Sequence, residues 1–217
     1  MTSRIGIMGG MFDPVHNGHR EVAIEALELL RLDQLRMVPC GIPNHREKAL
    51  CTPTQRLEML QLAMKDISRI VVDSRELDRF GISYSFDTLV SIQLETRPSE
   101  LFFIMGVDAF NSLPHWHRWR ELIELCNFAV FARPGSNINP ESVIGVELRK
   151  RQVYSVEEFS GSEAGKIIIF QDYEIHASST MVKQRLDNNQ PLGDLLPPEV
   201  ASYLSDHNLV SQNELGT

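Results

Sequence analysis

The stretch Gly9-Gly10-Met11-Phe12-Asp13-Pro14-Val15-His16-Asn17-Gly18-His19 carries the densest set of reactive and conformationally special residues in the chain. Two adjacent glycines let the main chain approach a ligand closely. His16 and His19 stand three residues apart. At the start of a helix, both would join a turn whose free N–H groups and partial positive charge already favour an anion. Two imidazoles there can donate hydrogen bonds to phosphate oxygens. The same spacing also fits two solvent-facing histidines, so by spacing alone both readings stand. A zinc site fits less well, because no third ligand lies near in sequence and the HExxH pattern is absent.

Further candidates are scattered. Ser178-Ser179-Thr180 precedes Lys183 and Arg185, a helix start followed by cations, where capping and phosphate binding are compatible roles. His45 and Arg46 fall in a proline-bounded polar loop that could close over a substrate. Asp13 and Asp108 are suited to capping a turn or helix. Trp116 lies between His115 and His117, which argues against a wholly core position, whereas Phe110 and Trp119 read as core.

Positioning these residues requires a scaffold, and the hydrophobic pattern supplies one. Short β-rich runs occupy 3–8, 35–39, 70–73, 101–105, 128–132 and 167–170. Between them fall helical patterns. Val22, Ala23, Ala26, Leu27 and Leu30 form one apolar stripe. Thr52-Pro53-Thr54-Gln55 combines a capping box with a proline at the first helical position, and Leu57, Leu60, Ala63 and Met64 give that helix its expected buried face. Residues 86–94 and 119–125 read as helices, and two short ones follow near 179–186 and 198–205. The run LFFIM at 101–105 is continuously apolar, as in a strand covered on both faces. Strands alternating with helices imply an α/β fold: a Rossmann-like, doubly wound parallel sheet with small C-terminal helices. The glycine-rich turn would then sit at the carboxyl edge of the first strand, where such sheets bind ligands. Residues 136–165 are polar, with weak periodicity.

Composition narrows the classes. The chain has 217 residues, 42% of them hydrophobic and 23% charged, enough apolar material for a core without disulfide or metal staples. A single domain over 1–217 is expected. The net charge of −8 argues against general nucleic-acid or anionic-membrane binding, though not against an anionic substrate in a local pocket. Three scattered cysteines fit reduced thiols, and no long apolar segment reads as a secretion signal or membrane span, so a cytoplasmic protein is expected. Near-matches to other nucleotide motifs fail. The 161–166 run has too few residues between its glycines for a P-loop, and no GxGxxG follows the first strand. Oligomeric state is not readable here.

Taken as a string, His16-Asn17-Gly18-His19 resembles the HxGH nucleotidyltransferase signature, and GGMFDPVHNGH is similar to that of bacterial nicotinate-mononucleotide adenylyltransferases. The resemblance runs along nearly the whole chain. It continues through Pro43-Asn44-His45-Arg46, Ile82-Ser83-Tyr84-Ser85 with Thr88-Leu89, Gly106-Val107-Asp108, Trp116-His117-Arg118-Trp119, Arg133-Pro134-Gly135 and Ser178-Ser179-Thr180.

The resemblance implies a nucleotidyltransferase-type fold and transfer of AMP from ATP to nicotinate mononucleotide, in NAD biosynthesis, with Mg²⁺ accompanying ATP. His16 and His19 would be catalytic. Gly9, Gly10, Met11, Phe12, Gly18, Gly106, Asp108, Arg133, Ser178, Ser179, Thr180 and Lys183 would hold ATP. His45, Arg46, Tyr84, Ser85 and Trp116 would hold the acceptor, Trp116 by stacking on its ring. No protein side chain is assigned to the metal. The chain departs from the family pattern at Met11, where a hydroxyl residue is usual, and at Lys183, where an arginine is usual. The rival readings are another HxGH enzyme, of the pantetheine-phosphate adenylyltransferase or cytidylyltransferase type, and a non-catalytic nucleotide-binding module.

Overall fold

The computed structural model describes residues 3–44, 49–96, 99–159, 164–171, 173 and 176–210. Seven strands form one sheet: β1 (Ser3–Gly10), β2 (Gln34–Pro39), β3 (Ile70–Val72), β4 (Ser99–Gly106), β5 (Asn127–Phe131), β6 (Gln152–Val153) and β7 (Ile167–Phe170). Their order is β3-β2-β1-β4-β5-β7-β6, and every pairing is parallel. The chain starts in the middle of the sheet, winds outward through β2 and β3, and returns to place β4 on the other side of β1. The winding direction therefore reverses between β1 and β4, which opens a crevice at their carboxyl ends.

Among the described residues, nine α-helices connect the strands and follow them: α1 (Asn17–Leu29), α2 (Pro53–Met64), α3 (Arg75–Asp78), α4 (Ser85–Glu95), α5 (Val107–Ser112), α6 (Trp119–Leu125), α7 (Val143–Arg151), α8 (Ser179–Asp187) and α9 (Pro198–Asp206). The doubly wound parallel sheet expected from the alternation is present, and its core has two layers. Ala26 and Leu27 of α1, Leu60 of α2 and Val200 of α9 pack with Phe102 and Ile104 on one face. Leu89 of α4, Phe110 of α5 and Leu122 of α6 pack with Phe103 and Met105 on the other. Successive residues of a strand point to opposite faces, so the unbroken apolar run in β4 is buried from both sides.

The main differences from expectation have local causes. Helix α2 has the expected capping box between Thr52 and Gln55, but its buried face is turned: Arg56, Met59, Leu60, Ala63 and Met64 are buried, and Leu57 is only partly so. Within 136–165 lie α7 and the short edge strand β6. Helix α7 carries Arg149, Lys150 and Arg151 in its last turn and buries little beyond Ile144 and Gly145, which is why its periodicity is faint. Strand β6 is two residues long and, among the described residues, pairs only with β7, a length that gives an edge little to offer another chain. Among the described residues no helix is long and apolar enough to cross a membrane.

Gly6, in the middle of β1, has no room for a side chain. A Cβ there would lie 2.5 Å from Leu32, 2.6 Å from Leu35 and 2.9 Å from Ile104. Gly6→Ala should overpack this layer by about 1–3 kcal/mol. At about 2–4 °C per kcal/mol for a chain of this size, thermal unfolding should move down by several degrees. An unchanged midpoint by calorimetry would contradict the packing described.

Candidate active site

The turn that leaves β1 is built from main-chain necessity. Gly9 is exposed at the strand's end, and a Cβ on Gly10 would press on the Phe12 ring at 3.1 Å. Phe12 itself adopts φ 50°, a left-handed conformation costly for a bulky side chain. That conformation buries its ring, which meets His19 edge-on at 4.9 Å. Any contact of Phe12 with a phosphate must therefore come from its main chain. The Asp13–Pro14 peptide is cis. The Asp13 carboxylate accepts from the N–H groups of Leu50 (2.7 Å) and Cys51 (2.8 Å), so it caps a distant segment rather than its own turn.

His16 is the N-cap of α1, and His19 occupies the third helical position. Each ring serves the other's main chain. His16 Nδ1 accepts from the His19 N–H at 3.3 Å, and His19 Nδ1 accepts from the His16 N–H at 3.3 Å. This is a capping box made by two histidines in place of the usual hydroxyl and carboxyl residues. The rings stack with centroids 3.6 Å apart and planes 23° apart.

The reciprocal bonds fix the tautomer. A ring nitrogen that accepts carries no hydrogen, so each neutral imidazole holds its proton on Nε2. His16 Nε2 accordingly donates to Ser179 Oγ, 3.1 Å away at the first position of α8. Burial, aided by the Arg133 charge, lowers the His16 pKa from 6.5 to about 4. Burial, then His16 and Arg133, hold His19 well below its ordinary value. The pair therefore acts as neutral donors near pH 7, not as imidazolium cations.

Ser178 caps α8, its Oγ accepting from the Met181 N–H at 3.2 Å. Thr180 and Lys183 are exposed on that helix. Arg185 is committed elsewhere, bonded to the Pro191 carbonyl and paired with Asp194. Asn17 anchors the start of α1 to the same region, donating through its main chain to the Leu195 carbonyl at 2.8 Å. Gly106 caps α5 at the end of β4, with open space where a Cβ would stand, and Asp108 is exposed in the first turn of α5. Arg133 is exposed just beyond β5, and its charge is felt by both histidines. Gly18 is buried in α1.

A second feature is a cavity of about 160 Å³ lined by Asn44, Ser83, Tyr84, Ser85, His115, Trp116 and His117. A cavity near 150 Å³ holds a benzene-sized ring. Tyr84 is the N-cap of α4 and makes no side-chain capping bond, and Ser85 opens the helix. The Tyr84 ring stacks on His117 with centroids 4.2 Å apart. Trp116 is half-buried, edge-on to Phe103, and its Nε1 donates to Ser112 Oγ at 3.1 Å. His45 and Arg46 lie outside the described residues. The structure thus groups His16, His19 and Ser179 in one place and Tyr84, Ser85 and Trp116 in another.

Comparison with known proteins decides the family. The sequence profile described as cytidylyltransferase-like matches residues 7–185. The chain belongs to the cytidylyltransferase-like family, on its nicotinate-nucleotide adenylyltransferase branch. A Pseudomonas syringae pv. tomato protein named "Probable nicotinate-nucleotide adenylyltransferase" is 39% identical over 210 residues, 96% of this chain and 94% of its own. A Marinomonas protein of the same name is 35% identical over 209 residues, 96% of this chain and 95% of its own. In fold, the chain is similar to a Plasmodium falciparum nicotinic acid mononucleotide adenylyltransferase complexed with NaAD. The TM-score is 0.74 at 18% identity, covering 95% of this chain and 97% of that one.

Within this family setting, some residues of the site were given no role by the sequence reading. His117 and Ser83 line the cavity beside Tyr84, and only their adjacency to Trp116 and Tyr84 marked them. Arg56 is buried beneath the β1–α1 turn, donating to the Met11 carbonyl at 2.8 Å. Its signal was positional, since it stands three and four residues before the buried Met59 and Leu60.

The neutral pair has a pH signature. A histidine whose pKa is lowered by folding binds protons more readily when unfolded. Stability is therefore lost as pH falls from about 6.5 through the folded value. For His16 that window runs from its ordinary 6.5 down to about 4. Nitrogen NMR of the native protein at pH 6 should show both rings neutral with the proton on Nε2. The unfolding midpoint should fall steadily below pH 6.5, with a shallower slope in His16→Asn. A His16 that protonates near pH 6.5 in the native state would overturn this description.

Proposed function

We propose that the chain transfers the adenylyl group of ATP to nicotinate mononucleotide, yielding deamido-NAD and pyrophosphate. The observation that carries this reading is the reciprocal capping of His16 and His19 at the sheet's switch point, which leaves Nε2 as the N–H donor on both rings, that of His16 resting on Ser179 Oγ. The names of relatives that match nearly the full chain support the same reaction.

The chemistry asks little covalent work of the protein. An oxygen of the acceptor's phosphate forms a bond to the α-phosphorus of ATP. The bond from that phosphorus to the α,β-bridging oxygen breaks, and pyrophosphate leaves with the electron pair. A phosphate monoester has its second pKa near ~6, so the nucleophile is already ionised and no general base is needed. Catalysis then consists of alignment and charge stabilisation.

In this reading the His19 Nε2–H, and the His16 Nε2–H on leaving Ser179 Oγ, donate to oxygens of the α-phosphate. Gly9, Gly10, Met11 and Phe12 offer main-chain contacts, and Gly18 keeps the helix start open. Ser178, Ser179, Thr180 and Lys183 serve the departing phosphates, with Arg133 adding charge. Gly106 and Asp108 lie toward the ribose. Tyr84, Ser85 and Trp116 hold the pyridine ring, and the uncapped start of α4 suits its carboxylate. His45 and Arg46 serve acceptor binding, as the family resemblance implies. Magnesium ion would supply counter-charge to the triphosphate. Among the described residues no group of three or more His, Cys, Asp or Glu side chains could hold a metal, and Mg²⁺ would draw most of its coordination from phosphate oxygens and water.

The test supplies purified protein with ATP and, separately, nicotinate mononucleotide, its amide analogue and phosphopantetheine, reading pyrophosphate release. Release with the nicotinate acceptor is expected; release with phosphopantetheine alone would refute the assignment. His19→Ala should keep the fold and lower kcat about 10²–10³-fold, the loss typical of one transition-state donor. Trp116→Ala should raise KM for the nicotinate acceptor about tenfold, which is about 1.4 kcal/mol, while KM for ATP changes little. Equal losses for both substrates would remove the ring-stacking role.

A further inference from the structure

Arg56 is among the most deeply buried side chains in the protein, 1% exposed, and it is charged. Among the described residues it forms no ion pair. Its Nη1 donates to the Met11 carbonyl at 2.8 Å and its Nη2 to the Gly41 carbonyl at 3.3 Å, while its Nε is buried without a partner. An unpaired buried guanidinium is costly, and nothing in the packing of α2 requires one; an aliphatic residue would continue its apolar face.

What Arg56 joins explains its presence. Met11 belongs to the β1–α1 turn that holds the histidines. Gly41 begins the segment that runs from β2 to α2 and carries Asn44 into the small cavity. The two are tied at other points as well. The Cys40 N–H donates to the Gly10 carbonyl at 2.9 Å, and Asp13 accepts from Leu50 and Cys51 at the segment's far end. Gly41 is itself pinned, since a Cβ there would lie 2.2 Å from the Glu76 carbonyl oxygen. Arg56 is the one side chain among the described residues that reaches both carbonyls, and its rigid fork sets their separation.

We infer that Arg56 is a positioning residue for the adenylyl transfer: it fixes the nucleotide turn against the root of the acceptor segment, so that the two reacting phosphates meet at the right distance. The inference rests on the reaction proposed above. A lateral error of ~1 Å in such an alignment costs on the order of 10²-fold in rate, without a matching loss of affinity for either substrate.

The test uses the full chain and compares wild type with Arg56→Lys and Arg56→Gln. Wild-type turnover with ATP and nicotinate mononucleotide is measured first; its absence refutes the reaction, and amide exchange then judges the Arg56 tie by itself. With turnover present, Arg56→Lys should lower kcat about tenfold and Arg56→Gln about a hundredfold, each KM staying within about threefold. The Cys40 amide should exchange about tenfold faster in both variants, since the tie that holds it to Gly10 is loosened. Ile144→Val, a remote core change, controls for stability. Should Arg56→Gln not fold, Arg56→Lys decides alone. A lowered unfolding midpoint with kcat unchanged, unaltered exchange at Cys40, or a loss carried wholly by KM would each overturn the inference.

Discussion

The site depends on two hydrogen bonds of 3.3 Å, each running from a main-chain N–H to the Nδ1 of the other histidine. A helix start must satisfy free N–H groups, and most proteins use a hydroxyl or carboxylate for the purpose. Here the residues that satisfy the helix are the same ones proposed to meet the nucleotide phosphates. One consequence is electrical: a carboxylate cap would repel a triphosphate, whereas an imidazole cap is neutral. Another is geometric. Because Nδ1 is occupied, Nε2 is the donor on each ring, and the stacking at 3.6 Å keeps the rings together. Protonating either ring would replace an acceptor by a donor facing an N–H. The low His16 pKa and the capping geometry therefore express one constraint.

The same turn organises its surroundings. It offers the Gly10 carbonyl to Cys40, the Met11 carbonyl to Arg56 and the Asp13 carboxylate to Leu50 and Cys51. Two unfavourable features are concentrated there, the left-handed Phe12 and the unpaired charge of Arg56. Backbone strain of this kind typically costs about 1–3 kcal/mol. It persists because β1 lies in the interior of the sheet, paired on both sides and covered on both faces. The rigid middle of the fold can hold a turn that an edge strand could not.

Much of the fold was legible because it rests on apolar periodicity. The runs at 119–125 and 167–170 coincide with α6 and β7, and α2 begins where its capping box and proline say it should. The five-residue apolar run in β4 identified a strand covered on both sides. What could not be read was carried by polar residues. Helix α7 has a mostly polar surface, and α3 and α5 are four and six residues long, too short for a periodic signal. At the site, motif order pointed to the histidines and to Tyr84, Ser85 and Trp116. Their contacts were not. No pattern says that His16 and His19 cap one another, that Arg185 is held by Asp194, or that His117 stacks on Tyr84. Arg56 was missed because a charged residue in an apolar stripe reads as its edge, whereas here it is the centre of the buried face.

The two departures from the family pattern are not equivalent. At Met11, the atom that the fold uses is the main-chain carbonyl, bonded to Arg56 at 2.8 Å; its side chain is only partly buried. A thioether removes one hydroxyl donor and leaves the shape of the turn intact, since that shape is set by Gly10, Phe12 and Arg56. At Lys183 the change is chemical. The nearby Arg185 does not replace the usual guanidinium, because both of its terminal nitrogens are engaged by the 191–194 turn. Lys183 keeps a positive charge on the exposed face of α8 but as a single ammonium, without the two-pronged geometry that grips a phosphate. On the proposed reaction, the consequence is confined to the leaving-group side. The histidine pair and the ring cavity owe nothing to that residue, so the cost of the lysine should fall on the expulsion of pyrophosphate and not on acceptor choice.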